Sequence, residues 1–212
     1  MVNWKVVLGV LLGSIGVVGL MVWGLGRLSS GQVEGIQVEN SQLVDGARWI
    51  SEKGEIKVTI VEFADFECPG CATADEIVNR VKEREGVKFV FRHFPLVTIH
   101  ENAWKSALAA ESARTLGKGW EMRELLFSKQ SEWSGVDDFD NLAIRYAEEV
   151  GLNKDDFESA YKNDEITKMV AGDAAKANEL KLNGTPTFYV NGKLIAAYLV
   201  EAEVEKIINS GQ

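Results

Sequence analysis

A chain of 212 residues with 23 basic and 32 acidic side chains carries a net charge of −9. That balance opposes binding to nucleic acid or flat against an anionic membrane, since both need a basic field. The length suffices for one well-cored domain with chain to spare.

The spare chain is at the front. Val6 to Gly26 is a run of 21 uncharged residues bracketed by Lys5 and Arg27. As a helix it would span roughly 30 Å, the hydrocarbon thickness of a bilayer. Trp4 and Trp23 stand near its ends, where indole rings favour the interface. The run exceeds the apolar core of ~7–15 residues usual in a cleavable signal peptide. Leu28-Ser29-Ser30-Gly31 is also a poor cleavage site, and no cysteine follows that could be lipidated. Residues 1–27 are therefore expected to be an uncleaved single-pass anchor. The α-amino group adds positive charge beside Lys5, favouring an N-inside orientation with the remaining chain outside. Gly9 and Gly13 form one GxxxG, although six glycines in the run make a chance spacing as good an explanation. Two of the basic residues and none of the acidic ones precede residue 28, leaving a net charge of −11 for the rest. Such a charge suits a soluble domain held off the membrane. The polar, glycine-containing stretch 28–46 reads as a flexible tether.

Lys57 to Phe63 is β-rich and apolar on both faces, the pattern of a central strand. A helix is expected from Cys68-Pro69-Gly70-Cys71 toward Glu85, followed by a strand over Val87–Phe94. Strand, helix and strand at this spacing make a βαβ unit and imply a parallel pair. From about residue 101 to 182 the spacing is helical. Phe139, Leu142, Ala143, Tyr146, Ala147 and Val150 form an i, i+3, i+4 series ended by Gly151, and Asn153 is placed to cap the next helix. Thr187–Val190 and Leu194–Ala197 then flank Asn191-Gly192, a type I′ hairpin signal, and Val200–Ile208 closes as an amphipathic helix. The frame is β-α-β, some 80 helical residues, then β-β-α: an α/β thioredoxin fold over residues 47–212 with an inserted helical domain.

Cys68 and Cys71 are the only cysteines. A structural disulfide closing a two-residue loop gains little, because the stabilisation grows with loop length. A zinc site would need His93 and His100 as well, and their spacing misses the usual H-x3-5-H. A redox pair needs one accessible cysteine at a helix N-terminus and a second one turn in, and this reading is favoured. Cys68 would face the unpaired N–H groups and positive end of the helix, which favour thiolate over thiol. Pro69 suits the first turn, where its missing N–H costs nothing. Cys71, buried and less acidic, would resolve. Glu62 interrupts the apolar strand, so its carboxyl is expected inside the sheet. With no cation evident nearby, its pKa should be raised, and it could exchange a proton with Cys71. The solvated alternative is that the strand ends early. In Gly184-Thr185-Pro186, a proline directly before an apolar strand must open the strand or lie at an edge. In a thioredoxin-type fold it would be cis and face the cysteine pair, leaving the Thr185 backbone for an extended substrate. An ordinary trans proline in a turn is the plainer possibility.

CPGC after VTIVEFADFE, then FVFRHFPL, ENAWKSALAAESA, KGWEMRELLFSKQ and NGTPTFYVNG, in that order, resembles the DsbA-like thiol-disulfide oxidoreductases. The likeness is greatest to their membrane-anchored, BdbD-like branch, and it covers roughly residues 47–209. The resemblance implies thiol-disulfide exchange on the extracytoplasmic side of the cell membrane. The substrates implied are cysteine-containing secreted or envelope proteins, and reoxidation falls to a quinone-linked membrane partner. By position it implies Cys68 as nucleophile, Cys71 as resolving cysteine, Glu62 as buried acid, Pro186 as cis proline and Thr185 as its predecessor. No metal or separate cofactor is implied beyond the Cys68–Cys71 disulfide itself. The alternatives are the same chemistry run as a reductase or isomerase, or a non-redox chaperone-like module.

Gly70 departs from the pattern, because relatives often carry His or Tyr there. Glycine cannot stabilise a Cys68 thiolate through a side chain, and Glu67 next to it would oppose the anion. A milder oxidant than relatives with His at that position is the expectation. His93 reads as structural, His100 as the start of the first inserted helix, and Trp104, Trp120 and Trp133 as core or lid packing.

Overall fold

The structure, a computed structural model, describes residues 37–210. The expected anchor at 1–27 and the first part of the tether lie outside the described residues. Among the described residues no helix is long and apolar enough to cross a membrane.

In chain order, α1 (Asn40–Val44), β1 (Trp49–Glu52), β2 (Val58–Ala64), α2 (Pro69–Val81) and β3 (Val87–His93) come first. Six helices follow: α3 (Ala103–Thr115), α4 (Gly119–Ser128), α5 (Gln130–Trp133), α6 (Phe139–Glu149), α7 (Lys154–Tyr161) and α8 (Asp164–Glu179). β4 (Thr187–Val190), β5 (Lys193–Ile195), a 3-10 turn at Ala197–Leu199 and α9 (Val200–Ser210) complete the domain. The strands form one sheet in the order β1-β3-β2-β4-β5. β2 pairs parallel with β3 and antiparallel with β4. This is a thioredoxin-like fold with helices inserted between β3 and β4.

β2 is central because both of its faces are apolar, and alternation along it divides the core in two. Ile60 and Ala64 join Phe89, Phe91 and Phe188 in packing with Val78 of α2, Leu126 of α4 and Val204 of α9. Val61 and Phe63 join Val90 and Tyr189 against Leu43 of α1 and Ala177 of α8. Glu62 pairs in register with Phe91 and Phe188, on the first of these faces.

Local signals account for several boundaries. The Asn153 side chain accepts hydrogen bonds from the N–H groups of Asp155 and Asp156, and caps α7. Asn191 and Gly192 have φ of 47° and 80°, the I′ hairpin geometry. A Cβ on Gly192 would lie 2.1 Å from the Val38 carbonyl oxygen, so the hairpin tip must be glycine for the N-terminal segment to cross it. That crossing corrects the tether. Gln37 bridges to Lys193, Asn40–Val44 is helical, and Leu43 is fully buried, so order begins before residue 46. One apolar anchor in a polar stretch gives no periodicity to read. β1 was equally inconspicuous: only Trp49 of its four residues is buried, as befits an edge strand paired antiparallel to β3.

Candidate active site

β2 delivers the chain into Asp65–Cys68, and Cys68 stands at the N-cap of α2 with Pro69 as its first helical residue. Pro69 and Gly70 are exposed, Cys68 is 9% exposed and Cys71 is fully buried. Both cysteines are free thiols. Their environments drive them apart. A hydrogen bond from Cys71 is the largest influence on Cys68. Outweighing the opposing effect of burial, it acts with Thr185 and the backbone N–H groups of Cys71 and Gly70 to lower the Cys68 pKa to about 5. Burial, the sulfur of Cys68 and the nearby Glu62 carboxyl push Cys71 well above its ordinary value.

The Thr185–Pro186 peptide is cis. The loop lies over the cysteine turn, with Cys68 Sγ 3.4 Å from the Thr185 carbonyl oxygen. Thr187 Oγ1 donates to the Gly184 carbonyl at 2.7 Å and braces the loop. A Cβ on Gly70 would lie 3.3 Å from Pro186 Cδ and 3.6 Å from Cys68 Sγ. The position facing the proline is thus narrow as well as bare.

Glu62 is fully buried in the sheet, beneath this turn. The sequence suggested no cation near it, and here the structure differs. Arg123 of α4 is fully buried too, and its Nη2 donates to Glu62 Oε2 at 3.0 Å while its Nη1 holds Asp75 of α2. The guanidinium also lies 5.0 Å from the ring centroids of Phe91 and Phe127. Burial raises Glu62 more than Arg123 lowers it, and the second carboxylate adds to the rise, leaving a pKa of about 7. Its Oε1 has no partner among the described protein atoms.

Glu67 was expected to oppose a thiolate at Cys68. Instead its carboxylate turns into the helical insertion, accepting from the N–H groups of Asn102 (2.5 Å) and Gly135 (2.9 Å) and from Ser134 Oγ (3.1 Å). Asp65 is likewise engaged, by Glu67 N–H (2.8 Å), Leu96 N–H (2.9 Å) and His100 Nδ1 (2.7 Å). His100 therefore braces the turn ahead of α3 and does not start that helix. His93 is buried with Nε2 3.2 Å from Glu111 Oε2.

Three neighbours of the site escaped the sequence reading. Asp75 follows Cys71 by four residues, on the buried face of α2 with Ala74 and Val78, and that spacing could have revealed it. Arg123 shares the buried face of α4 with Met122 and Leu126, which was a comparable signal. Gln130 gave none: its amide reaches the Phe66 and Cys68 carbonyls across more than 60 residues.

A CxxC turn opening a helix after the central strand, a cis-proline loop over it and helices inserted after β3 define a class: thioredoxin folds of DsbA-like architecture with a dithiol at the active-site position. A family model described as Thioredoxin matches residues 53–210, and the chain belongs to that family. It is similar to a thioredoxin-like oxidoreductase from Silicibacter pomeroyi, with 26% identity, a TM-score of 0.63, and coverage of 82% of this chain and 98% of that one. Oxidised BdbD from Bacillus subtilis shares the fold at a TM-score of 0.66 and 23% identity, over 84% of this chain and 96% of its own. Among curated proteins, the Na(+)/H(+) antiporter NhaA 3 of Salinispora tropica is 39% identical over 140 residues, which make up 66% of this chain and 21% of the antiporter. The chain thus spans about a fifth of the length of the curated relatives it matches, and the antiport in their names belongs to those proteins.

Proposed function

We propose that this chain is an extracytoplasmic dithiol oxidase that forms disulfides in cysteine-containing secreted or envelope proteins. The observation that carries the reading is the divergence of two cysteines on one helical turn, Cys68 at about 5 and Cys71 well above its ordinary value. A stabilised Cys68 thiolate favours the reduced enzyme, which makes the disulfide form an oxidant. An ordinary-to-oxidising range runs from about 7 for the thioredoxin thiol to about 3.5 for that of DsbA. Cys68 is lowered in the same direction, in keeping with an oxidant, and the bare Gly70 beside it supports a milder one than relatives with histidine at that position.

In the reaction, a substrate thiolate attacks Cys68 Sγ of the oxidised enzyme. A substrate–Cys68 bond forms and the Cys68–Cys71 bond breaks, its electron pair going to Cys71. Buried Cys71 is a poor anion, so it takes a proton from the Glu62 carboxyl, whose pKa near 7 suits donation and recovery at neutral pH. A second substrate thiolate then attacks the substrate sulfur of the mixed disulfide and expels Cys68 as the thiolate. Two electrons pass from the substrate dithiol to the enzyme. A quinone-linked membrane partner would take them onward, and an N-inside anchor at residues 1–27 would hold the domain beside it. The half-buried cis-proline loop would offer the Thr185 backbone to an extended substrate.

Expressing Cys71→Ser in the native host would trap Cys68 in mixed disulfides. The reading expects secreted proteins with cysteine pairs among the captured partners. Capture of a membrane reductant donor would reverse the direction to reduction or isomerisation. Insulin-reduction and peptide-oxidation assays that both stayed flat, with both thiols accessible, would leave the non-redox binding module.

A further inference from the structure

One side chain of the helical insertion reaches the backbone carbonyls of the active-site turn. Gln130 Nε2, at the start of α5, lies 2.6 Å from the Phe66 carbonyl oxygen and 2.9 Å from the Cys68 carbonyl oxygen. A primary amide has two N–H groups, so each carbonyl can take one. The acceptors straddle Glu67, whose carboxylate is already held by Asn102, Ser134 and Gly135. Cys68 itself is extended, with φ −75° and ψ 119°, while its carbonyl accepts the N–H groups of Cys71 (3.0 Å) and Ala72 (3.2 Å) that open α2. The direction of that carbonyl fixes the peptide plane after Cys68, and so where Sγ stands relative to the first-turn N–H groups.

We propose that Gln130 is a positioning residue for thiol-disulfide exchange: by holding the Phe66 and Cys68 carbonyls together, it keeps Cys68 Sγ over the N-terminal turn of α2 and favours the reduced enzyme. The asymmetry between redox states follows from the geometry. In the disulfide form the Sγ–Sγ bond restrains Cys68 with or without Gln130. In the dithiol form nothing covalent does, and the amide adds to the restraint that the Cys71 and Ala72 N–H groups place on the Cys68 carbonyl. Losing it therefore costs the reduced state more, and the enzyme becomes a weaker oxidant. The inference rests on the proposed exchange at Cys68 and deepens it.

The test is a glutathione redox titration of Gln130→Met, which keeps the length of the side chain and removes both donors, with thermal unfolding of the oxidised and reduced forms. The equilibrium constant for oxidising glutathione should fall about five-fold, the worth of one ordinary hydrogen bond. The reduced form should lose more melting temperature than the oxidised form. Gln130→Glu, with no donor and an added charge near the thiolate, should shift the constant further in the same direction. A role in fold stability alone would lower both melting temperatures equally and leave the constant unchanged, and that result would overturn the proposal. If Gln130→Met fails to fold, Gln130→Asn keeps the amide one methylene short and should give a smaller shift of the same sign; no shift there rejects the inference. A wild-type enzyme without any two-electron transition would instead reject the exchange reaction itself.

Discussion

Two of the groups of buried charges in this domain behave in opposite ways. Under the cysteine turn, one cation, Arg123, serves two carboxylates, Glu62 and Asp75. Elsewhere in the fold, Glu111 and Asp173 are served by Arg48, Arg92 and Arg114, and His93 and Trp49 also bind Glu111. Burial works against the Glu111 carboxylate, yet His93, Arg114 and Trp49 together hold it far below the usual range. Glu62, with a share of one cation and a bare Oε1, rises to about 7. Desolvation is common to both acids; the ratio of donors to carboxylates decides the sign. The satisfied cluster binds α1, β1, β3, α3 and α8 together. The undersupplied one leaves Glu62 raised to about 7.

Removing Arg123 should do the most damage, since Arg123→Met leaves two buried carboxylates without a cation. A loss on the order of 4 kcal/mol is expected in urea unfolding, with partial recovery in Arg123→Lys. Glu111→Gln breaks the satisfied cluster, and at pH 7 should cost about 3 kcal/mol. Because the folded Glu111 pKa is depressed, its stabilisation is fully present above the unfolded value near 4.5 and is lost progressively as the pH falls from there through the folded value.

Glu62→Gln should act with the opposite sign. A folded pKa raised from 4.5 to about 7 favours folding below 4.5, and that advantage is lost as the pH rises through 7. The variant should match the wild type at low pH and exceed it at pH 8 by roughly 3 kcal/mol. Paired melting curves at the two pH values check this, and a Glu62→Gln that destabilises at pH 8 as Glu111→Gln does would break the comparison. The smallest effect belongs to Gly70→Ala. Its methyl group would sit at 3.3 Å from Pro186 Cδ, a crowding that should cost under about 1 kcal/mol; a larger loss would show the cis-proline loop to be rigid.

Features encoded in consecutive residues were readable from the sequence. β2 and β3 announced themselves by apolar runs, the β4–β5 hairpin by Asn191-Gly192, and the cysteine turn by Pro69 between helix-starting signals. Features made by distant partners were not. Glu62 could be placed inside the sheet from its own strand, but its cation arrives from 61 residues away. The orientation of Glu67 depends on Asn102, Ser134 and Gly135, so its effect on Cys68 could not be read from its adjacency. Leu43 and Trp49 anchor short elements through tertiary contacts alone, in stretches too polar to show a period.

The central claim is that this fold makes Cys68 an acidic thiol and Cys71 a poor one. Thiolate absorbance of the reduced protein near 240 nm, followed from pH 3 to 9, measures it directly. A single cysteine ionising near pH 5, abolished in Cys68→Ser, is the expected result. A first ionisation above pH 8, or one that survives in Cys68→Ser, would contradict it.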